Sequence, residues 1–187
     1  MVTDVKKAIF RALMSSDDYL HAYEQLMHLN LKKTQQREIV RVLLQCCLQE
    51  EAYNPFYGFL SQKLLADPNY KYTFKYVLWD YLKSLERQEV RAIANLAEVF
   101  AELIAKKLVP LHFLKVVDFE QVDKPNTMFM QLLLSGVFEK SPDAATIDSV
   151  FRTGFLMTHA EKEEGVEKFI KGFSGFVLGK FYLRVKR

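Results

Sequence analysis

The sequence predicts an all-α fold in which antiparallel helical hairpins stack on one another. Apolar residues recur at spacings of three and four along most of the 187-residue chain, which is the period of an α-helix. No segment alternates apolar and polar residues as a half-buried strand would. The connections between the predicted helices are short, roughly two to six residues, and such connections place consecutive helices antiparallel. Stacked pairs of this kind form a solenoid-like block, although no exact sequence repeat is visible.

The first three helices begin at N-terminal signals. Asp4 is expected to cap the first helix, and the Ser-Ser-Asp-Asp run at 15–18 predicts the start of a second helix that ends near His28. The third is expected from about Thr34. The core-facing positions predicted on the first and third helices are Val5, Ala8, Ile9, Ala12, Leu13, Ile39, Val42, Leu43, Cys46 and Cys47.

Proline marks the start of later helices. Pro55, Pro68 and Pro142 each follow an Asn, Asp or Ser that can cap a helix, and proline is pre-set for the first helical turn. The predicted elements are a fourth helix after Pro55, a fifth over about 69–85, a sixth over about 93–104 and a short seventh from Pro110.

The helical pattern pauses over 119–125 and then resumes. Further helices are predicted at about 126–140, 143–158 and 161–187. We therefore expect a main unit over residues 4–118 and a helical extension over residues 126–187 that docks on it.

Composition narrows the class of protein. The formal net charge is +3, which is only mildly basic and leaves contact with RNA open. No apolar stretch approaches the ~20 residues of a membrane span, and the N-terminal segment lacks a signal-peptide layout. The adjacent Cys46 and Cys47 are expected to be small buried hydrophobic residues in a reducing compartment.

No residue pattern indicates catalysis, a metal or a cofactor. His21 and His28 share a helix face but lie about 10 Å apart, too far to bind one metal ion. The adjacent acids at 17–18 are interpreted as capping residues, and no nucleophile or phosphate-loop motif is present. An enzyme is therefore not predicted.

An aromatic run at 70–76 interleaves rings with cations, as a surface that stacks RNA bases does. At helical spacing, however, Tyr72, Tyr76 and Trp79 form one stripe, and this stripe continues to Leu82. We interpret the stripe mainly as core packing, with surface contact by some of the rings as the alternative.

Two basic surfaces are predicted. Arg37 and Arg41 lie one turn apart beside Lys32 and Lys33, and this group is either a solvated face or a patch for a partner or phosphates. The C-terminal segment has no acid after Glu167, and phenylalanines interleave with its cations. These cations either contact rRNA phosphates or an acidic partner, or stay in solvent while the phenylalanines dock the last helix. The cations are Lys168, Lys171, Lys180, Arg184, Lys186 and Arg187.

Several strings that a generic amphipathic helix would not dictate carry a family resemblance. They lie at 8–19, 36–47, 49–50, 53–57, 74–80 and 95–111. Over about 4–118 the chain resembles the MA-3 (MA3) domain family, and within it the branch of nucleolar proteins that also carry a MIF4G domain. The resemblance implies an atypical HEAT-like helical stack, a location in the nucleolus or nucleus, and a role in small-subunit ribosome assembly.

The resemblance also implies partners. An upstream MIF4G module would engage an eIF4A-III-like DEAD-box helicase, and this domain would add contacts to that helicase or to pre-ribosomal proteins. Inhibitory relatives are acidic in the turn after the sixth helix, whereas this chain carries Lys106 and Lys107 there, which disfavours an inhibitor-like clamp. The candidate partner-contact residues are Lys32, Lys33, Arg37, Arg41, Tyr53, Asn54, Phe56, Tyr57, Lys106 and Lys107.

The sequence therefore predicts a monomeric, non-enzymatic protein-interaction module without a cofactor. Direct binding of pre-rRNA through the basic C-terminal segment is the main alternative. A further alternative is an intramolecular support that only stabilises the upstream module.

Overall fold

The described part of the chain is helical throughout its regular structure. The computed structural model describes residues 2–119, 121–160 and 166–182, and no strand occurs in these ranges. The α-helices are α1 (Val2–Met14), α2 (Tyr19–His28), α3 (Lys33–Gln49), α4 (Pro55–Leu65), α5 (Pro68–Leu82), α6 (Val90–Ala105), α7 (Lys124–Lys140), α8 (Ala144–Ala160) and α9 (Val166–Phe176). Single 3-10 segments cover Leu85–Arg87 and Leu111–Val116, and a π-helical segment covers Val177–Tyr182. The all-α prediction is confirmed.

The first six helices pack in two layers. Helices α1, α3 and α5 lie side by side in one layer, and α2, α4 and α6 form the other. Helix α3 is central because it also contacts α4 and α6 across the layers. This is the stack of hairpins that the short connections predict. Within the described residues, no helix is both long enough and apolar enough to cross a bilayer.

Three of the predicted caps are confirmed. Asp18 Oδ1 accepts from the His21 amide at 2.8 Å, and the Asn54 side chain accepts from the Phe56 amide at 3.0 Å. At the start of α5, Asp67 Oδ1 accepts a hydrogen bond from the Asn69 amide at 2.9 Å. Each contact satisfies an amide that the first turn of a helix leaves without a partner.

Two expected caps are wrong. Helix α1 begins at Val2, so Asp4 lies inside the first turn and does not precede it. At α8 the cap is Asp143, whose carboxylate accepts from the Thr146 amide at 2.6 Å. The Ser141 hydroxyl instead donates to the Val137 carbonyl at 2.6 Å and closes the end of α7.

The core is apolar, with one buried amide that links two helices. Asn95 on α6 is 3% exposed, and its Nδ2 donates to the carbonyls of Cys47 and Glu50 at 3.0 and 2.9 Å. Cys46 and Cys47 are buried free thiols, as predicted. Burial raises the pKa of Cys47 to about 12, so this thiol stays protonated in the folded protein.

Helix α5 buries a different face from the predicted one. Tyr72 and Tyr76 are 66% and 54% exposed. Position 72 is two residues, or about 200° around the helix, from the buried position 70, so the two point in opposite directions. Trp79 is half-buried, and its Nε1 donates to the Phe113 carbonyl at 2.6 Å. The buried positions on α5 are Tyr70, Phe74, Val77, Leu78 and Leu82.

Helices α7 and α9 both pack against earlier parts of the chain. Helix α7 lies along α6, and a Cβ added at Gly136 would come within 2.8 Å of the Ala101 Cβ, so glycine permits this close approach. Phe119 makes edge contacts with Phe169 and Phe173 of α9, with ring centroids 5.9 and 5.7 Å apart. These contacts cover the face of α9 that carries Phe169 and Phe173. The division into two units over 4–118 and 126–187 stays a prediction.

Candidate functional site

A groove of about 640 Å³ runs between α3 and α5. It brings together two groups of residues that the sequence analysis treats separately, the cations of α3 and the tyrosines of α5. Its lining residues are Lys33, Gln36, Arg37, Arg41, Asn69, Tyr70, Tyr72, Thr73, Tyr76 and Val77.

The α3 wall of the groove is cationic. Lys33 and Arg37 are exposed and form no ion pair with the described residues, and Lys32 is exposed at the start of the helix. Arg41 is partly neutralised because its Nη1 lies 3.1 Å from Glu38 Oε1. This wall therefore presents net positive charge to the groove.

The α5 wall is aromatic. Tyr72 and Tyr76 are the exposed rings, and Tyr76 meets the Trp79 ring edge-on at 5.7 Å between centroids. The Lys75 ammonium lies 4.8 Å from the Trp79 centroid, a cation–π contact that holds the indole. Buried Tyr70 forms part of the floor.

The predicted contact corner at 53–57 is mostly structural. The half-buried Tyr53 donates to Glu102, Asn54 caps α4, and Phe56 is half-buried against the core. Tyr57 is only 2% exposed and its hydroxyl donates to Glu50 at 2.8 Å, so the expected direct contact through Tyr57 does not fit the structure. Burial raises the pKa of both Tyr53 and Tyr57.

Lys106 is held by its neighbours. Its Nζ lies 3.3 Å from Glu102 Oε1, donates to Gln62 Oε1 at 2.8 Å, and sits 5.5 Å from the Phe59 ring centroid. The side chain still exposes 46% of its surface. Lys106 is therefore a fixed cation at the edge of α4 and α6.

Lys107 ends α6 in a left-handed conformation, with φ of 59°. Its amide bonds the Ile104 carbonyl, and the next amide, of Leu108, bonds the Leu103 carbonyl at 2.9 Å. Glycine usually occupies this position of a helix-ending turn. The charge of the exposed Lys107 contributes, after the hydrogen bonds from Thr146, to lowering the pKa of Asp143 at the start of α8.

A partly exposed aromatic pair on α2 and α4 was not predicted. Tyr19 and Phe59 lie 5.3 Å apart between ring centroids, and Phe59 is 41% exposed. Leu20, next to Tyr19, is 45% exposed, and the Lys63 ammonium lies over the Tyr23 ring. Helix α4 is apolar on nearly every side, so periodicity alone gave no signal that Phe59 faces outward. We call Tyr19, Leu20 and Phe59, with Lys106 at their rim, the α2–α4 patch.

The structure describes only some of the basic residues of the C-terminal segment. Lys171 is exposed on α9, while Phe169, Phe173 and Phe176 of the same helix are buried. These three phenylalanines dock the helix, and the role of the cations, RNA or partner contact as against exposure to solvent, stays a prediction. The side chains of Lys168 and Lys180, and the whole of Arg184, Lys186 and Arg187, lie outside the described residues.

The histidines give no sign of a metal site. His21 Nδ1 lies 3.8 Å from the exposed Asp17 carboxylate. Over the residues described, no three His, Cys, Asp or Glu side chains lie close enough together to hold a metal ion.

Comparison with known proteins gives a consistent set of relatives. Residues 5–110 match the MA3 domain family. The chain is 42% identical over 144 residues to nucleolar MIF4G domain-containing protein 1 of Mus musculus, covering 76% of this chain and 17% of that protein. It is 33% identical over 156 residues to suppressor of glycerol defect protein 1 of Schizosaccharomyces pombe, covering 79% and 20%. The pre-mRNA-splicing factor CWC22 homolog of Danio rerio is 26% identical over 113 residues, covering 60% and 12%. The chain thus spans about a fifth or less of the length of these relatives.

Proposed function

This chain belongs to the MA3 domain family, and from that premise we propose that it is a non-catalytic protein-docking module of a nucleolar ribosome-assembly factor. The family match agrees with the resemblance carried by the motifs of residues 4–118. A location in the nucleolus or nucleus is supported by the name of the mouse relative. A role in small-subunit pre-rRNA processing rests on the resemblance.

The observation that carries the docking role is the α2–α4 patch. Phe59 exposes a large apolar surface beside the Tyr19 ring, and Leu20, the next residue after Tyr19, is also exposed. The Lys106 ammonium lies over the Phe59 ring. Protein interfaces commonly have aromatic residues at the centre and charged groups at the rim. A rigid patch of this kind loses little side-chain entropy when a partner binds.

The partner we propose is an eIF4A-III-like DEAD-box helicase, with a pre-ribosomal protein as the other candidate. The choice of a helicase rests on the resemblance to this family branch. Lys106 places a cation at the edge of the patch, so an acidic surface of the partner is the complementary one.

The test uses the purified 187-residue protein and a recombinant eIF4A-III-like helicase in calorimetric titration. Phe59→Ala is expected to weaken binding by roughly tenfold or more, because truncating a central aromatic residue removes a large share of interface energy. Phe10→Ala is the matched control, since Phe10 is similarly exposed at 47% but lies on α1.

Two results would count against the proposal. Absence of helicase binding by the wild-type protein at micromolar concentrations contradicts the choice of partner. Equal loss from Phe59→Ala and Phe10→Ala contradicts the choice of surface.

A further inference from the structure

The groove between α3 and α5 carries charge of one sign only. Lys33, Arg37 and Arg41 line it, and no carboxylate of the described residues does. The nearest acid on α3, Glu38, is 13% exposed and already contacts Arg41 and Lys6. The opening therefore attracts a polyanion.

The facing wall offers two flat rings at a regular spacing. Tyr72 and Tyr76 are four residues apart on α5, so their Cβ atoms lie about 5–6 Å apart. Both rings are more than half exposed. Every nucleic-acid base has a flat face, so exposed rings stack bases with little regard to sequence.

From these two walls we infer that the α3–α5 groove binds single-stranded RNA. Arg37 and Arg41 contact successive phosphates of the strand, and the bases stack on the rings of Tyr72 and Tyr76. An acidic peptide would account for the cations alone, whereas an RNA strand uses the cations and the rings together. The choice of RNA over DNA rests on the proposed nucleolar setting, but the groove is separate from the α2–α4 patch.

The basic surface continues past the groove onto α1. Lys6 Nζ lies 3.5 Å from Glu38 Oε2, and Arg41 contacts the other oxygen of the same carboxylate. Lys6 lines a second recess of about 440 Å³ together with Lys7 and Arg11. A strand that leaves the groove at Arg41 therefore meets further cations on α1.

The experiment measures binding of a fluorescein-labelled oligouridine of about 12 nucleotides to the 187-residue protein by fluorescence anisotropy. The double change Arg37→Glu and Arg41→Glu is expected to weaken binding at least tenfold. It should also flatten the plot of log K against log salt by about 1.4, because each phosphate contact on a single strand contributes about 0.7. Lys124→Glu, which reverses one exposed cation on α7, is the control for charge reversal outside the groove and should bind like wild type.

A second pair of variants tests stacking. Replacing Tyr72 and Tyr76 by alanine should weaken binding about tenfold or more, while replacing both by phenylalanine should preserve it. Both rings are exposed, so circular dichroism should report an unchanged fold for either variant.

Several outcomes overturn the inference. They are failure of the wild-type protein to bind the oligouridine, wild-type affinity in the arginine double variant, and equal affinity of the alanine and phenylalanine variants. Competition by polyglutamate with no effect of the tyrosine changes would identify an acidic peptide as the ligand. Loss of binding only on changing Arg184 and Lys186 would place RNA on the C-terminal segment. A negative result in these RNA-binding experiments does not contradict helicase docking, because docking is tested separately with the Phe59→Ala variant.

Discussion

The Tyr53 hydroxyl donates a 2.8 Å hydrogen bond to Glu102 Oε2 and so joins the segment before α4 to α6. Glu102 is 9% exposed, and its other oxygen accepts from Gln62 Nε2 at 2.7 Å. A buried carboxylate remains favourable in a folded protein only when its oxygens are hydrogen-bonded. The stability of this end of the stack therefore depends on the partners of Glu102.

Tyr53→Phe is expected to lower the free energy of unfolding by about 1.5–3 kcal/mol, because it removes a hydrogen bond to a buried charged group. Urea denaturation followed by circular dichroism measures the change. Tyr72→Phe is the control, since it removes a hydroxyl from an exposed ring and should change stability by less than about 0.5 kcal/mol. Equal stability of Tyr53→Phe and wild type would show that this hydrogen bond contributes nothing.

Gly58→Ala should also destabilise the protein. A Cβ at this position would overlap the Glu102 carboxylate and the Tyr53 hydroxyl, so the network must move to admit it. Overpacking of this kind costs about 1–3 kcal/mol. Gly175→Ala on α9 has no neighbouring atom within 4 Å and should instead stabilise by up to about 1 kcal/mol, from helix propensity. Changes of the same sign in the two variants would contradict the crowding argument.

The Asn95 amide gives a test of donor chemistry. Its NH₂ group donates to the carbonyls of Cys47 and Glu50, so both contacts require a donor. Asn95→Ala should cost about 2–3 kcal/mol from two lost hydrogen bonds, and Asn95→Asp should cost more, because it points a carboxylate at two carbonyl oxygens. Chemical denaturation of the two variants gives the order, and an aspartate variant more stable than the alanine variant would refute it.

Local signals in the sequence predicted the helices well. The caps at Asp18, Asn54 and Asp67 were predictable because a capping side chain bonds an amide two or three residues away. The Asp143 cap was missed because Ser141-Pro142 gives an equally good local signal two residues earlier, and only the end of α7 decides between them.

Which face of a helix is buried was harder to predict. Helix α5 is aromatic on both sides. From the sequence alone, the stripe through Tyr72 and Tyr76 is as good a candidate for burial as the stripe through Tyr70 and Phe74. Packing on α3 buries the second stripe and leaves the first beside Arg37. The groove therefore depends on tertiary contacts between residues about 30 or more positions apart, which periodicity does not report.

Alkaline pH should destabilise the protein through its buried tyrosines. Burial, and to a lesser extent the charge of Asp67, raises the pKa of Tyr70 to about 12, while an unfolded tyrosine titrates near 10. Below about pH 10 both states are protonated and stability is unaffected. Between about pH 10 and 12 the unfolded state loses a proton that the folded state keeps, so stability falls as pH rises, by at most about 1.4 kcal/mol per pH unit for one such group.

Burial also raises the pKa of Tyr53, Tyr57 and Tyr81, which adds to the effect. Urea denaturation at about pH 9 and about pH 11 measures the loss, and Tyr70→Phe should make it smaller. The same loss in wild type and Tyr70→Phe would exclude Tyr70 as a contributor.

Neighbouring leucines on α7 test whether the extension and the main unit fold as one. Leu133 is fully buried on the helix that packs along α6, whereas Leu132 is 36% exposed. Leu133→Ala should cost about 2–5 kcal/mol, and Leu132→Ala considerably less. Trp79 is the single tryptophan and bonds the Phe113 carbonyl, so its fluorescence reports the packing around α5 and the 111–116 segment.

If α6 and α7 share one cooperative core, the Leu133→Ala midpoint in urea falls by the same amount for Trp79 fluorescence and for circular dichroism. A wild-type Trp79 midpoint beside a lowered circular-dichroism midpoint would instead mean that 126–187 unfolds separately. The contact between Gly136 and Ala101 favours the first outcome. Because α7 lies so close to α6, separating the two helices would expose the apolar face of α6 to water.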